Sequence, residues 1–99
     1  MAMPQKTDAI PCRIFVGGID RYTTEDELYN LFQRCGQIVT INVIRDAVGP
    51  YAFITFVEEE TAKVVLSQRY SFYIRGKKLR LSSAYLSNKP RPSYRYISL

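Results

Sequence analysis

The sequence predicts an α+β fold, a four-stranded antiparallel sheet with two helices on one face, and three observations carry that prediction. Two runs rich in β-branched and aromatic residues, Arg13-Ile14-Phe15-Val16 and Tyr51-Ala52-Phe53-Ile54-Thr55-Phe56, alternate with a period of two. Apolar residues at helical spacing follow each run: Leu28, Leu31, Phe32 and Cys35 after the first, Ala62, Val65 and Leu66 after the second. With a strand after each helix, the order is βαββαβ: one hairpin and two crossover helices, which leaves both helices on the same side of the sheet. This is the ferredoxin-like arrangement.

Each element has its own signal. Met1 to Pro11 holds two prolines and little periodicity and reads as a flexible leader, ending where the first strand begins at Arg13 before Gly17-Gly18. Thr24-Glu25-Asp26-Glu27 is an N-cap with a glutamate at the third helical position, and its acids sit where the helix dipole favours them. That helix runs to about Cys35, and Gly36 is placed for a left-handed terminator. Ile38 to Arg45 reads as the second strand, with Ile41 and Val43 on one face and Thr40, Asn42 and Ile44 on the other. Asp46 to Pro50 is a short loop before the third strand, and Glu58 to Ser67 is the second helix, with Val64 off its core stripe. Arg75-Gly76 signals a turn before the fourth strand, where Leu79 and Leu81 face one way and Lys78, Arg80 and Ser82 the other. The predicted organisation is a leader over 1–11, one folded domain over 12–85 and a basic tail over 86–99, which either links to a further domain or folds back on the sheet.

Composition narrows the function. Ninety-nine residues allow one core, and 46% hydrophobic with 23% charged residues is a globular balance. No apolar run approaches the roughly eighteen residues that span a bilayer, so the expectation is a soluble intracellular protein with no membrane partner. With no histidine and only Cys12 and Cys35, neither a zinc site nor a disulfide framework is expected, and imidazole-dependent catalysis is removed. Both cysteines read as small hydrophobes, and Glu58-Glu59-Glu60 as a favourable helix start rather than a metal site. Acylphosphatases share the element order, but Asp20-Arg21-Tyr22 offers no phosphate-cradling loop after the first strand. A non-enzymatic protein with no cofactor and no small-molecule substrate is expected. Charge is uneven: all nine acids lie at or before Glu60, and from Thr61 onward there are nine Lys or Arg and no acid, a balance suited to an anionic partner.

Strand alternation sharpens the point. If Ile14, Val16, Ala52, Ile54 and Phe56 face the helices, Phe15, Tyr51 and Phe53 must occupy the uncovered face. Aromatic rings stack on unpaired bases at about 1–3 kcal/mol per base, and neighbouring cations attract phosphate, so the pattern fits single-stranded nucleic acid. A covering segment or partner is the competing explanation for these rings.

These residues also resemble a known family. Ile14-Phe15-Val16-Gly17-Gly18-Ile19 is similar to the RNP2 motif of the RNA recognition motif (RRM) family, and Tyr51 to Phe56 matches the last six positions of its RNP1 octamer. The resemblance spans Arg13 to Ala84, and within it Arg13 to Asp20 resembles the DAZ and Boule germ-cell subgroup. It implies that Phe15 and Phe53 stack on adjacent bases, that Tyr51 contacts sugar or base, and that backbone and polar groups of Ser82, Ser83 and Ala84 complete the edge readout. Arg13, Asn42, Arg45 and Arg80 join them as candidate RNA contacts. Two departures weaken the expected affinity: RNP1 normally begins Lys or Arg then Gly, where this chain has Gly49 and Pro50, and the loop from Asp46 to Pro50 is shorter than the basic loop of DAZ-like members.

Some RRMs bind proteins instead. Tyr29, Val57 and Val64 lie at or beyond the edges of the helical core stripes and are the candidate protein-contact residues. The chain also resembles RRMs of small-RNA (piRNA) processing assemblies, a similarity that implies pairing with an RRM of another subunit. The expected setting is a ribonucleoprotein in cytoplasm or nucleus, with perinuclear germ granules implied by the germ-cell similarities.

Overall fold

A reciprocal cap sets the start of the first helix. In the computed structural model, which describes residues 8–86, Thr24 Oγ1 accepts from the Glu27 N–H at 3.2 Å and Glu27 Oε1 accepts from the Thr24 N–H at 2.9 Å. Helix α1 then spans Glu25–Phe32 and tightens into a single 3₁₀ turn over Gln33–Cys35. Around it the chain forms β1 (Asp8–Gly17), β2 (Ile38–Asp46), β3 (Gly49–Phe56), α2 (Glu59–Ser67), a short hairpin of β4 (Tyr73–Ile74) and β5 (Lys77–Lys78), and β6 (Arg80–Leu86). The main sheet is four-stranded in the order β2-β3-β1-β6, every neighbouring pair antiparallel. This is the predicted α+β, ferredoxin-like architecture.

The core lies between one sheet face and the two helices. Ile14 and Val16 of β1 and Ala52, Ile54 and Phe56 of β3 meet Leu28 and Phe32 of α1 and Ala62 and Val65 of α2, all buried. Each large aliphatic or aromatic side chain so buried contributes about 1.5–3 kcal/mol, which fixes which face of the sheet turns inward. Register follows: Ile14 pairs with Ile54, and Val16 with Ala52.

Three details differ from the sequence expectations. First, β1 begins at Asp8 rather than near Arg13; Asp8 and Ala9 pair with Leu86 and Tyr85, and pairing with β6 resumes only at Ile14. Pro11, which has no N–H to give the ladder, lies inside that irregular stretch. The remaining parts of the predicted leader and tail, 1–7 and 87–99, lie outside the described residues. Second, Gly36 is extended (φ 165°) rather than left-handed. Its value is steric: a Cβ there would lie 2.5 Å from Thr61 Cγ2 and Oγ1 on α2. Third, the β4–β5 hairpin was not anticipated. Arg75 (φ 51°) and Gly76 (φ 80°) are both left-handed, as a two-residue hairpin turn requires. Arg75 is held there by side-chain bonds to Asp20 Oδ1 (2.8 Å), to Thr23 Oγ1 (3.2 Å) and to Glu27, which ties the hairpin to the β1–α1 loop. A stacked pair, Phe32 on Phe72 at 4.8 Å, anchors the approach to the hairpin from below.

Two predictions follow from these contacts. Gly36→Ala should lower unfolding stability by about 1–3 kcal/mol in urea denaturation, because helix α2 must shift; an unchanged midpoint would contradict the contact. The Arg75 hydrogen bond holds the Asp20 carboxyl below its ordinary value of 3.8, against opposing desolvation. A carboxyl depressed in the folded state stabilises above its unfolded value, and that contribution is lost as pH falls through the folded one. An NMR titration should therefore place Asp20 low in the wild type and higher in Arg75→Gln; identical titration curves would show that the ion pair is not formed.

Candidate nucleic-acid interface

Alternation along β1 and β3 brings Phe15, Tyr51 and Phe53 together on the sheet face opposite the helices, as the sequence requires. Phe15 lies directly across the ladder from Phe53, with ring centroids 5.8 Å apart at 67°. Tyr51 sits 5.8 Å from Phe15 at 33° and 6.0 Å from Phe53 at 88°. Each ring is half-buried, and the three pack against one another. Tilted and edge-to-face pairs of this kind add about 0.5–1.5 kcal/mol each, so the platform is held in place before any ligand arrives. The Tyr51 hydroxyl donates to Asp46 Oδ2 at 3.4 Å, and Asp46 Oδ1 accepts the Val48 N–H at 3.0 Å, which joins the platform to the β2–β3 turn. Gly17 is part of the same packing: a Cβ there would come within 3.0 Å of the Phe15 ring.

Polar groups flank the rings. Asn42 pairs with Phe53 across β2–β3, and its side chain is exposed. Ser82 pairs with Phe15 and Arg80 with Gly17 on β6, both exposed. Two residues before Phe15 on β1, the Arg13 Nε donates to Thr55 Oγ1 at 3.1 Å, which lays the guanidinium along the sheet.

Three of the predicted contacts do not belong to this surface. Ser83 pairs with core-facing Ile14, so its side chain turns to the helix side of the sheet. Ile44 pairs with Tyr51, so alternation sends its neighbour Arg45 to the other side of β2. There Arg45 donates to the backbone carbonyls of Arg21 (3.4 Å) and Thr23, and it serves the β1–α1 loop rather than a ligand. Ala84 is 2% exposed and offers no side-chain surface. The helix-side candidates Tyr29, Val57 and Val64 are 46%, 44% and 43% exposed, on α1, the β3–α2 connection and α2. Cys12 and Cys35 are free thiols, and burial pushes the Cys35 thiol up, away from reactivity.

The structure also adds Lys77 and Lys78, which the sequence does not single out as contacts, to the predicted Arg80. A cleft of about 490 Å³ opens at the Gly17 end of the platform, between Phe15 and Tyr51 on one side and Lys77, Lys78 and Arg80 on the other, with Gly49 and Pro50 at its rim. Gly49 holds the position where RNP1 normally carries a cation, and the positive charge of this cleft comes from β5 and β6 instead. Among the described residues no carboxylate forms an ion pair with Lys77, Lys78 or Arg80. The alternation expected from the sequence puts Lys78 on the fourth strand with Arg80 and Ser82; the structure places it on β5 of the separate hairpin, and it lies beside Arg80 because the chain passes directly from β5 to β6.

Comparison with known proteins agrees with this geometry. The profile of the RNA recognition motif family matches residues 14–80, from the start of the RNP2-like run to the start of β6. The chain belongs to the RNA recognition motif family. This RRM is 36% identical over 84 residues to the mouse (Mus musculus) protein boule-like, covering 82% of this chain and 29% of that protein. It is 34% identical over 95 residues to the Drosophila melanogaster protein boule, covering 93% of this chain and 41% of that one. The chain thus spans well under half the length of these relatives. Among solved structures, the Sxl-lethal protein/RNA complex superposes with a TM-score of 0.64 at 26% identity, over 84% of this chain and 53% of that one.

Proposed function

We propose that this RRM binds single-stranded RNA on its open sheet face and works in RNA processing or post-transcriptional regulation within a larger ribonucleoprotein assembly. The observation that carries the reading is the three-ring platform of Phe15, Tyr51 and Phe53, left uncovered by the helices and bordered by Arg80, Lys77 and Lys78. Phe15 and Phe53 each take one base, Tyr51 meets the adjoining sugar or base, and Asn42, Ser82 and Arg13 lie within the surrounding polar rim. The resemblance of the chain to boule proteins and to a protein solved with RNA supports the same reading. Two stacked bases at about 1–3 kcal/mol each, without a phosphate-binding cation at position 49, amount to modest affinity for the sheet alone.

A second reading rests on the exposed Tyr29, Val57 and Val64: the helical side pairs with an RRM of another subunit and RNA binding is secondary. Apolar residues scattered singly on a surface are ordinary, which places this reading behind the first. The affinity test separates them. Phe15→Ala and Phe53→Ala should each weaken binding of a short single-stranded RNA by about 1–3 kcal/mol in fluorescence anisotropy while leaving thermal unfolding cooperative. Unchanged affinity in both variants would sink the stacking assignment.

A further inference from the structure

The cleft beside the platform does not end at Arg80. A second hollow of about 300 Å³ lies on the far side of the β5–β6 junction, lined by Arg69, Tyr70, Leu79 and Leu81 and sharing Lys78 and Arg80 with the first. Tyr70 is 72% exposed, so its ring is accessible to a ligand. The Lys78 ammonium sits 5.4 Å from its centroid, so the ring and the cation are already adjacent. The Arg69 Nε donates to Leu66 O at 3.1 Å, which ties that guanidinium to the end of α2, and Arg69 lines the same hollow as Tyr70. Arg69, Lys78 and Arg80 form no ion pair with any carboxylate among the described residues. An aromatic ring framed by unneutralised cations, joined to a stacking platform by two shared cations, is the pattern that recognises one further nucleotide of a single strand.

We propose that the RNA path continues off the sheet, across Lys78 and Arg80, to a second stacking station at Tyr70 with Arg69 as its phosphate contact. This rests on the RNA reading above and extends it: the bound segment is longer than the sheet alone accommodates, and the strand leaves the platform over the β6 edge. It also accounts for the cation missing at position 49, since the backbone is neutralised on the opposite bank of the cleft.

The test compares oligouridines of about four and about ten nucleotides, the shorter matched to the platform and the longer to the full path, on the folded chain by fluorescence anisotropy. Tyr70→Ala should weaken the longer RNA by about five-fold or more and leave the shorter within about two-fold, the loss of one stacked base. Arg69→Gln should lower the salt-dependence slope for the longer RNA by about one and not for the shorter. Phe15→Ala should weaken both lengths. If Phe15→Ala weakens both but Tyr70→Ala changes neither, or weakens the two equally, the second station is overturned and the sheet reading stands. If the chain binds neither RNA, or Phe15→Ala has no effect, the sheet reading falls and takes the second station with it.

Discussion

The burial of one alternating set of side chains on β1 and β3 governs everything else in this domain. Ile14, Val16, Ala52, Ile54 and Phe56 go to the helices because several buried apolar side chains together outweigh any other arrangement of these strands. A slip of one residue would bury Phe15, Tyr51 and Phe53 and expose the aliphatic set, so register and function are decided by the same alternation. The aromatic rings reach solvent as the consequence of core packing. They then pack against one another, which limits their motion and presents ring faces at fixed positions on the sheet.

Charge is organised separately from the rings. The first helix and the loop before it hold acids that are satisfied locally: Glu27 in the helix cap, and Asp20 and Glu27 on Arg75. The short β4–β5 hairpin is thereby tied back to the β1–α1 loop, and its far strand presents Lys77 and Lys78 next to Arg80. The family's usual RNP1 cation is replaced by Gly49, whose position has open space around it. The positive charge beside the platform is carried by Lys77, Lys78 and Arg80 of β5 and β6.

The βαββαβ order, the helix cap and the outward aromatics were legible because each depends on local periodicity or on residues four positions apart or fewer. Features that depend on distant partners were not. Arg45 looked like a ligand contact because its charge is visible in the sequence, whereas the carbonyls of Arg21 and Thr23 that it meets lie over twenty residues away. Gly36 read as a helix terminator, and only the approach of Thr61 shows why a side chain is excluded there. The turn at Arg75-Gly76 is legible in the sequence, but the β4–β5 hairpin around it is not, since each of its strands has two residues, too few for periodicity. Ala84 was assigned by its position after the predicted fourth strand, a pattern that carries no information about burial.

Whether the sheet face opposite the helices is the RNA-binding surface is decided by an NMR titration of the labelled chain. With short mixed-sequence single-stranded RNAs at near-physiological salt, amide shifts should centre on Phe15, Tyr51 and Phe53 and their cross-strand neighbours Asn42 and Ser82, with α1 and the exposed face of α2 unchanged. Shifts confined to the helices, or none at high RNA concentration, would contradict it and move the binding surface to the side that carries Tyr29, Val57 and Val64.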